Sequence, residues 1–220
     1  MRTALTILVV GILACSFVTY AGAQAKFGMG VELENQHSMI VTPVASLLSE
    51  LDMGGIVSTG GLGLTPAVLF TIQMNPQMLL EPSIGYHQMG WKDEYTGGTD
   101  ELTASDLSIG IGMVYALKPN VAVSPMLHPL FAYHMLDATY EVTGGTGAGK
   151  VEASASAFQV GLGIGGLINL KETVYLTAEA RLLYTSAGDV EIETLGFTDD
   201  SDTSESMFDT DMVVGLRFVF

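Results

Sequence analysis

Apolar and polar residues alternate along most of the chain after residue 24. The first alternating segment places bulky apolar side chains at every second position, namely Phe27, Met29, Val31 and Leu33. Seven further segments follow this pattern, within 64–73, 80–87, 107–116, 121–134, 158–165, 174–185 and 211–220. A period of two residues is typical of a β-strand with one apolar and one polar face. The sequence therefore predicts an all-β protein with eight strands.

The connections between these segments are alternately short and long. Turn-forming residues occupy the short connections at 75–77, 118–120 and 171–173, and polar links occupy about 34–61, 92–104, 141–152 and 186–208. Alternation alone fits a soluble β-sandwich as well as a membrane barrel. The acidic residues, however, concentrate in the long links, and a charge facing lipid at the midplane costs about 2–4 kcal/mol. We therefore expect a closed barrel, because strands cross lipid only when every backbone group is paired.

Charge and composition exclude several classes of protein. The chain has 24 acidic and 8 basic residues, for a net charge of -16, and such a surface repels nucleic acid. Only 15% of the residues are charged, whereas a soluble domain carries about 25%. A single cysteine, Cys15, rules out both a disulfide framework and a cysteine metal site.

The N-terminal segment predicts export. Arg2 precedes an apolar stretch at 5–18 and the small residues 21–23, the pattern of a secretory signal peptide cleaved after Ala23. We therefore expect residues 1–23 to be a signal peptide and residues 24–220 to form the barrel domain. An N-terminal membrane helix and lipoprotein processing at Cys15 are the alternatives.

The C-terminal segment carries apolar residues at alternate positions up to a terminal phenylalanine: Leu216, Phe218 and Phe220. This ending resembles the sorting signal of bacterial outer-membrane barrels, which the barrel-assembly machinery recognises. Together with the segment 80–86, it makes the mature chain similar to the small eight-stranded outer-membrane barrel families, such as the OmpA membrane domain, OmpX and OmpW. The resemblance implies an eight-stranded antiparallel transmembrane β-barrel in the bacterial outer membrane, with short periplasmic turns and long extracellular loops. It implies outer-membrane lipid and lipopolysaccharide as surroundings, and it does not extend to any catalytic motif.

Five charged residues lie on the face opposite the apolar one: Glu32, Glu81, Glu179, Arg181 and Arg217. The interior of an eight-stranded barrel is just wide enough for side chains to fill it. Since an unpaired buried charge is costly, we predict a paired charge network in this lumen. A proton or ion path is the alternative. His128 and His134 share this face but are six residues apart, or about 20 Å along a strand, so they do not bind one metal ion.

Two glycine motifs superficially match nucleotide-binding fingerprints. Residues 144–150 begin like a P-loop, but Val151 stands where Ser or Thr must hold magnesium. The glycines at 161, 163 and 166 lie inside an alternating segment, where small residues suit a crowded lumen. We therefore expect a flexible loop, lumen glycines and no cofactor.

Two long links contain further candidate features. One acidic run offers carboxylates for calcium, namely Asp199, Asp200, Asp202 and Glu205. The run lacks the spacing of an EF-hand, so a solvated acidic loop is the favoured interpretation, with divalent cations bridging to lipopolysaccharide as a further hypothesis. Residues 42–55 have the pattern of a short amphipathic helix, which would pack over the barrel mouth or lie in the outer leaflet.

These observations predict a monomer with a structural or surface-interaction role carried by acidic extracellular loops, and no catalytic residues. The alternative is a narrow cation-preferring channel, or a conduit for small apolar molecules, for which the glycines at 110, 112, 161 and 163 would leave space. A lipid A-modifying enzyme is the third possibility. Such an enzyme needs a His–Ser pair. In the one adjacent pair, His37 and Ser38, the two side chains would point to opposite faces of a strand.

Overall fold

The computed structural model describes residues 26–35, 64–119, 121–144, 149–188, 190–194, 197–201 and 206–220. These residues form the following strands: β1 (Lys26–Asn35), β2 (Leu64–Asn75), β3 (Met78–Tyr95), β4 (Gly98–Ala116), β5 (Val123–Gly144), β6 (Gly149–Lys171), β7 (Val174–Ala187), β8 (Val190–Thr194), β9 (Phe197–Ser201) and β10 (Ser206–Val219). Within this described part, no helix has the length and apolar character needed to cross a membrane.

Eight of the strands close into a ring. Each strand from β1 to β7 pairs antiparallel with the next, and β10 closes the ring between β7 and β1. Val31 of β1, for example, lies between Val68 of β2 and Leu216 of β10. The β8–β9 hairpin pairs with the upper part of β6 and stands outside the ring. The predicted eight-stranded antiparallel barrel is confirmed.

The alternation of the sequence separates an outward apolar face from an inward face. In β1, Phe27, Met29 and Val31 are 46%, 51% and 49% exposed, whereas Gly30 and Glu32 between and beside them are buried. Exposed apolar residues at alternate positions recur around the ring, in β2, β3, β5, β6, β7 and β10 among others. So large an exposed apolar surface is unfavourable in water and suits a belt in contact with lipid.

The strands from β3 to β6 are longer than the prediction. They contain 18, 19, 22 and 23 residues, whereas about 9–11 residues suffice to cross a membrane. The predicted link at 92–104 is wrong, because only Thr96 and Gly97 separate β3 from β4, with Gly97 at a φ of 112°. The predicted links at 141–152 and 186–208 are also mostly strand. We call residues 89–95, 98–105, 137–144 and 149–155 of β3–β6 the strand extension.

The short connections agree with the prediction. Two-residue turns at 76–77 and 172–173 join β2 to β3 and β6 to β7, and residues 117–122 join β4 to β5. All three lie at the end of the barrel opposite the strand extension. We call this the turn end.

Two prolines lie inside long strands. Pro82 is the fifth residue of β3 and Pro129 the seventh residue of β5. The β2–β3 ladder has no paired residues at positions 81 and 82, and the β4–β5 ladder has none at 128 and 129. Because proline has no N–H to donate, the ladder is interrupted on one side and the strand continues.

The lumen at the turn end is filled by apolar side chains. One cluster there consists of Leu79, Val114, Ala116, Met126 and Leu167, with Tyr175 packed against it. Val114 is fully buried and Met126 is 2% exposed. This apolar plug lies below the charged part of the lumen.

Candidate functional site

Six charged or ionisable side chains meet in the middle of the lumen: Glu32, Glu81, His128, Glu179, Arg181 and Arg217. They come from β1, β3, β5, β7 and β10, and each is at most 6% exposed. All six residues lie on the inward faces of their strands. Because the strands form a closed ring, their side chains point toward one another across the barrel. We call this group the lumen charge cluster.

Arg217 is the centre of the cluster and is completely buried. Its Nε donates to Oε1 of Glu81 at 2.5 Å, and its Nη2 donates to Oε2 of Glu81 at 2.7 Å. Nη2 also donates to Oε1 of Glu32 at 2.5 Å, and Nη1 donates to the hydroxyl of Thr177. One guanidinium group therefore ties β10 to β1, β3 and β7, with the paired geometry that makes arginine–carboxylate contacts strong.

Arg181 and His128 complete the cluster around two further carboxylates. Nη2 of Arg181 donates to Oε2 of Glu32 at 2.6 Å, and Nε donates to Oε1 of Glu179 at 2.7 Å. Nδ1 of His128 lies 3.0 and 3.1 Å from the two oxygens of Glu179. Asp211 is directly opposite Arg181 in the β7–β10 register and is also buried.

The structure brings together all five charged residues that the sequence assigned to the lumen. His128 was assigned to the same face, but its membership of the cluster was not foreseen. Whether a residue points inward follows from its odd or even position along the strand. Its height in the barrel depends instead on the register between neighbouring strands. The sequence carries little signal for that register.

A second ionisable pair lies closer to the strand extension. Nδ1 of His134 is 3.1 and 3.0 Å from the oxygens of Asp106, and both residues are buried. The alternation along β5 placed His134 on the inward face, whereas Asp106 was not predicted. Asp106 occupies an inward position of β4 just beyond the predicted link. His128 and His134 therefore have separate carboxylate partners.

The Nε2 atoms of both histidines have no hydrogen-bond partner among the described residues. A cavity of about 40 Å³ lies beside them, lined also by Ser83, Ser108 and Gln159. Ser108 is the cross-strand neighbour of His134, but its hydroxyl does not hydrogen-bond to Nε2. The described residues therefore contain a His–Asp pair without an engaged serine nucleophile.

The lumen glycines make room for the cluster. A Cβ atom added at Gly112 would collide with Nε2 of His128, and one at Gly163 would collide with Oε2 of Glu179. The space that small residues leave at these positions is thus occupied by the side chains of His128 and Glu179. This filling of the lumen does not support an open passage through the barrel.

The remaining candidate residues lie at the two ends of the barrel. Phe218 is outward-facing in β10, and Phe220 is 78% exposed while its N–H donates to the carbonyl of Phe27 at 2.6 Å. The backbone of Asp199 and Asp200 belongs to β9, whereas Asp202 and Glu205 lie outside the described residues. Residues 1–23, His37, Ser38, the segment 42–55 and residues 145–148 also lie outside them.

Comparison with known proteins supports the fold. No family model matches the chain, and no curated protein matches it. Among solved structures, a major outer membrane protein from Thermus thermophilus is 10% identical, with a TM-score of 0.53, and the match covers 90% of this chain and 100% of that one. Ail, the attachment invasion locus protein of Yersinia pestis, is 12% identical, with a TM-score of 0.51, and the match covers 89% and 97% of the two chains. The chain thus has the fold of small bacterial outer-membrane β-barrel proteins.

Proposed function

We propose that this protein is an integral β-barrel of a bacterial outer membrane that acts at the cell surface through its strand extension. The observation that carries the proposal is the change in the outward face along single strands. On β5, the apolar Phe131 and Tyr133 are followed by the exposed acidic residues Asp137 and Glu141. Such a change marks the level at which a strand leaves lipid for water. The strand extension then stands above the membrane.

The filled lumen supports a surface role over transport. The apolar plug occupies the turn end, and above it Arg217, Arg181 and three carboxylates are joined by short hydrogen bonds. A channel needs a continuous polar path wide enough for water. In the described part of the lumen, the cavity beside the charge cluster measures about 40 Å³ and a cavity at the turn end about 50 Å³.

The same arrangement supports a non-enzymatic monomer. In the described residues, no serine or threonine hydroxyl hydrogen-bonds to Nε2 of His128 or His134, so neither imidazole is paired with a side-chain nucleophile. The closed ring leaves no unpaired edge at membrane depth that would require a second copy.

The surroundings of an outer-membrane barrel suggest two partners. The acidic strand extension, with Asp137, Glu141 and Glu152 exposed, suits lipopolysaccharide phosphates bridged by divalent cations. The terminal Phe218 and Phe220, which are exposed, suit recognition by the barrel-assembly machinery. The signal peptide over residues 1–23 accounts for export of the chain to that machinery.

The orientation in the membrane is tested with single cysteines in a Cys15→Ser background. Thr139→Cys lies on the outward face of β5 in the strand extension, and Glu172→Cys lies in the turn between β6 and β7. A membrane-impermeant maleimide is expected to label Thr139→Cys in intact cells. Glu172→Cys should be labelled only after the cells are opened.

The Glu172→Cys variant also controls for the reactivity of an exposed thiol, because opened cells must label both variants. Labelling of Glu172→Cys but not Thr139→Cys in intact cells would place the strand extension in the periplasm. That result would contradict the proposed surface role while leaving the fold unaffected.

A further inference from the structure

Two of the eight seams between neighbouring strands of the ring are interrupted at the depth of the apolar belt. The β2–β3 ladder has no pair at Pro82, and the β4–β5 ladder has none at Pro129. On their other sides the two prolines are paired without interruption, with Ile111 of β4 and Leu162 of β6 respectively. Because the nitrogen of proline carries no proton, each proline removes a ladder donor from one seam only.

The two gaps flank the same pair of strands at nearly the same level. Along β4, the position that faces Pro129 is Met113, two residues closer to the turn end than the partner of Pro82. The strands β3 and β4 stay paired with each other across this level. They therefore form a two-stranded ribbon with a gap on each side. We call residues 78–82 of β3 and 111–116 of β4 the gate segment.

Few backbone pairs hold the gate segment to the strands on either side of it. Between the gaps and the turn end, β3 makes three ladder pairs with β2, and β4 makes two with β5. One further bond follows the last pair, from the N–H of Leu117 to the carbonyl of Pro125 at 2.8 Å. In the described residues, the other six seams of the ring have no gap at this level. The gate segment is thus the most weakly paired part of the described ring at this depth.

The lumen charge cluster anchors the upper limit of the gate segment from inside. Glu81, the residue before Pro82, accepts two hydrogen bonds from Arg217. It also accepts one at 3.3 Å from the hydroxyl of Thr71, the residue that faces it across the β2–β3 gap. This side-chain contact takes the place of the missing ladder pair. The segment is therefore held at the level of the cluster and weakly paired between that level and the turn end.

Both faces of the gate segment below this anchor are apolar. Its inward face supplies Leu79, Val114 and Ala116, three of the five residues of the apolar plug. Its outward face includes Leu80 and Ile111, and Ile111 is 41% exposed. Lipid chains are as apolar as the plug, so no hydrophobic driving force keeps these side chains inside the barrel. Backbone pairing is what opposes an outward movement of the segment, and that pairing is interrupted on both sides.

We propose that the gate segment is a lateral gate, which opens between β2 and β5 toward the lipid while the rest of the ring stays closed. Opening brings the apolar plug into contact with hydrocarbon, so the molecule that it admits is apolar, such as the acyl chain of a neighbouring lipid. The lumen charge cluster stays in place above the gate and keeps the path for water and ions shut. The gate is independent of the surface role of the strand extension.

The test is photolabelling of the folded barrel in lipid vesicles that contain a phospholipid with a diazirine on its acyl chain. The carbene formed by light labels side chains that touch hydrocarbon, and mass spectrometry identifies them. The outward Ile111 is labelled whether or not the gate opens. We expect label also on the inward Leu79 and Val114, which are 3% and 0% exposed. The inward Leu183 of β7 is equally buried but lies between continuous seams, so it should stay unlabelled.

Restoring the missing donors tests the cause of the opening. Pro82→Ala together with Pro129→Ala gives both seams an N–H group at the gap. Each restored hydrogen bond should shift the equilibrium toward the closed gate by about two- to tenfold. Labelling of Leu79 and Val114 should fall accordingly, whereas labelling of Ile111 should not change.

Pro66→Ala is the matched control, because Pro66 lies in β2 above the uppermost β2–β3 pair, and its replacement leaves both gaps as they are. It should label like wild type. Wild type that is labelled at Ile111 but at neither Leu79 nor Val114 would overturn the proposal, and this result needs no variant. Unchanged labelling of the two inward residues in the folded double variant would overturn it as well, because the gaps would then not permit the opening.

Discussion

Replacing Arg217 by methionine is expected to lower the free energy of unfolding of the barrel by about 3–5 kcal/mol, the usual effect of removing one partner from a buried ion pair. Methionine preserves much of the volume but removes every hydrogen bond that Arg217 makes to Glu81, Glu32 and Thr177. Glu81 is 1% exposed and would remain as a buried carboxylate without this partner. Urea unfolding of the detergent-solubilised barrel, followed by far-UV circular dichroism, measures the change.

Two further variants separate this effect from a general loss of packing. Adding Glu81→Gln to Arg217→Met should restore part of the lost stability, because the double variant leaves one fewer uncompensated charge. Lys92→Met removes an exposed cation whose Nζ lies 2.9 Å from Glu94. The hydrogen bond with Glu94 raises the pKa of Lys92, but water screens the pair, so stability should not change measurably. Unchanged stability of Arg217→Met would show that the cluster does not hold the barrel together.

Replacing Leu162 by arginine is the second change with a large expected effect. Leu162 is 48% exposed near the middle of the outward apolar run of β6, between Val160 and Ile164. If this face contacts lipid, an arginine near the bilayer midplane should destabilise the inserted barrel by about 2–4 kcal/mol. Unfolding titrations in lipid vesicles measure this cost.

Ser154→Arg provides the control on the same strand and the same outward face. Ser154 lies in the strand extension, about eight residues or roughly 26 Å from Leu162, where the side chain is partly exposed to water. A cost of about 0–1 kcal/mol is expected there. Equal costs at both positions would show that the apolar belt does not lie in lipid where we place it.

The sequence predicted the ring of strands because lipid imposes a simple pattern on them. An outward side chain at membrane depth must be apolar, so Val160, Leu162 and Ile164 alternate clearly with inward glycines. Above the membrane the outward face is in water. Polar residues such as Glu152 and Ser154 are therefore as acceptable on that face as valine. The alternation therefore disappears while the strand continues, which is why β3 to β6 were predicted too short.

The candidate site was predictable only in part, for a related reason. The alternation of apolar and polar residues along each strand identifies Glu32 and Arg217 as inward residues. Their contact joins residues 185 positions apart, and it depends on the register by which β1 pairs with β10 and on the tilt of all eight strands. Register is set by the cooperative pairing of the whole ring, so His128 could not be placed beside Glu81 from local sequence.

Whether the lumen is closed is measured by the conductance of the refolded chain, residues 24–220, in a planar lipid bilayer. An electrically silent membrane is expected, with insertion of the folded barrel confirmed separately by protease protection. The apolar plug and the lumen charge cluster would then close the barrel, and function would reside in the strand extension. Stable, cation-selective conductance steps would show instead that the lumen opens and that the barrel is a channel.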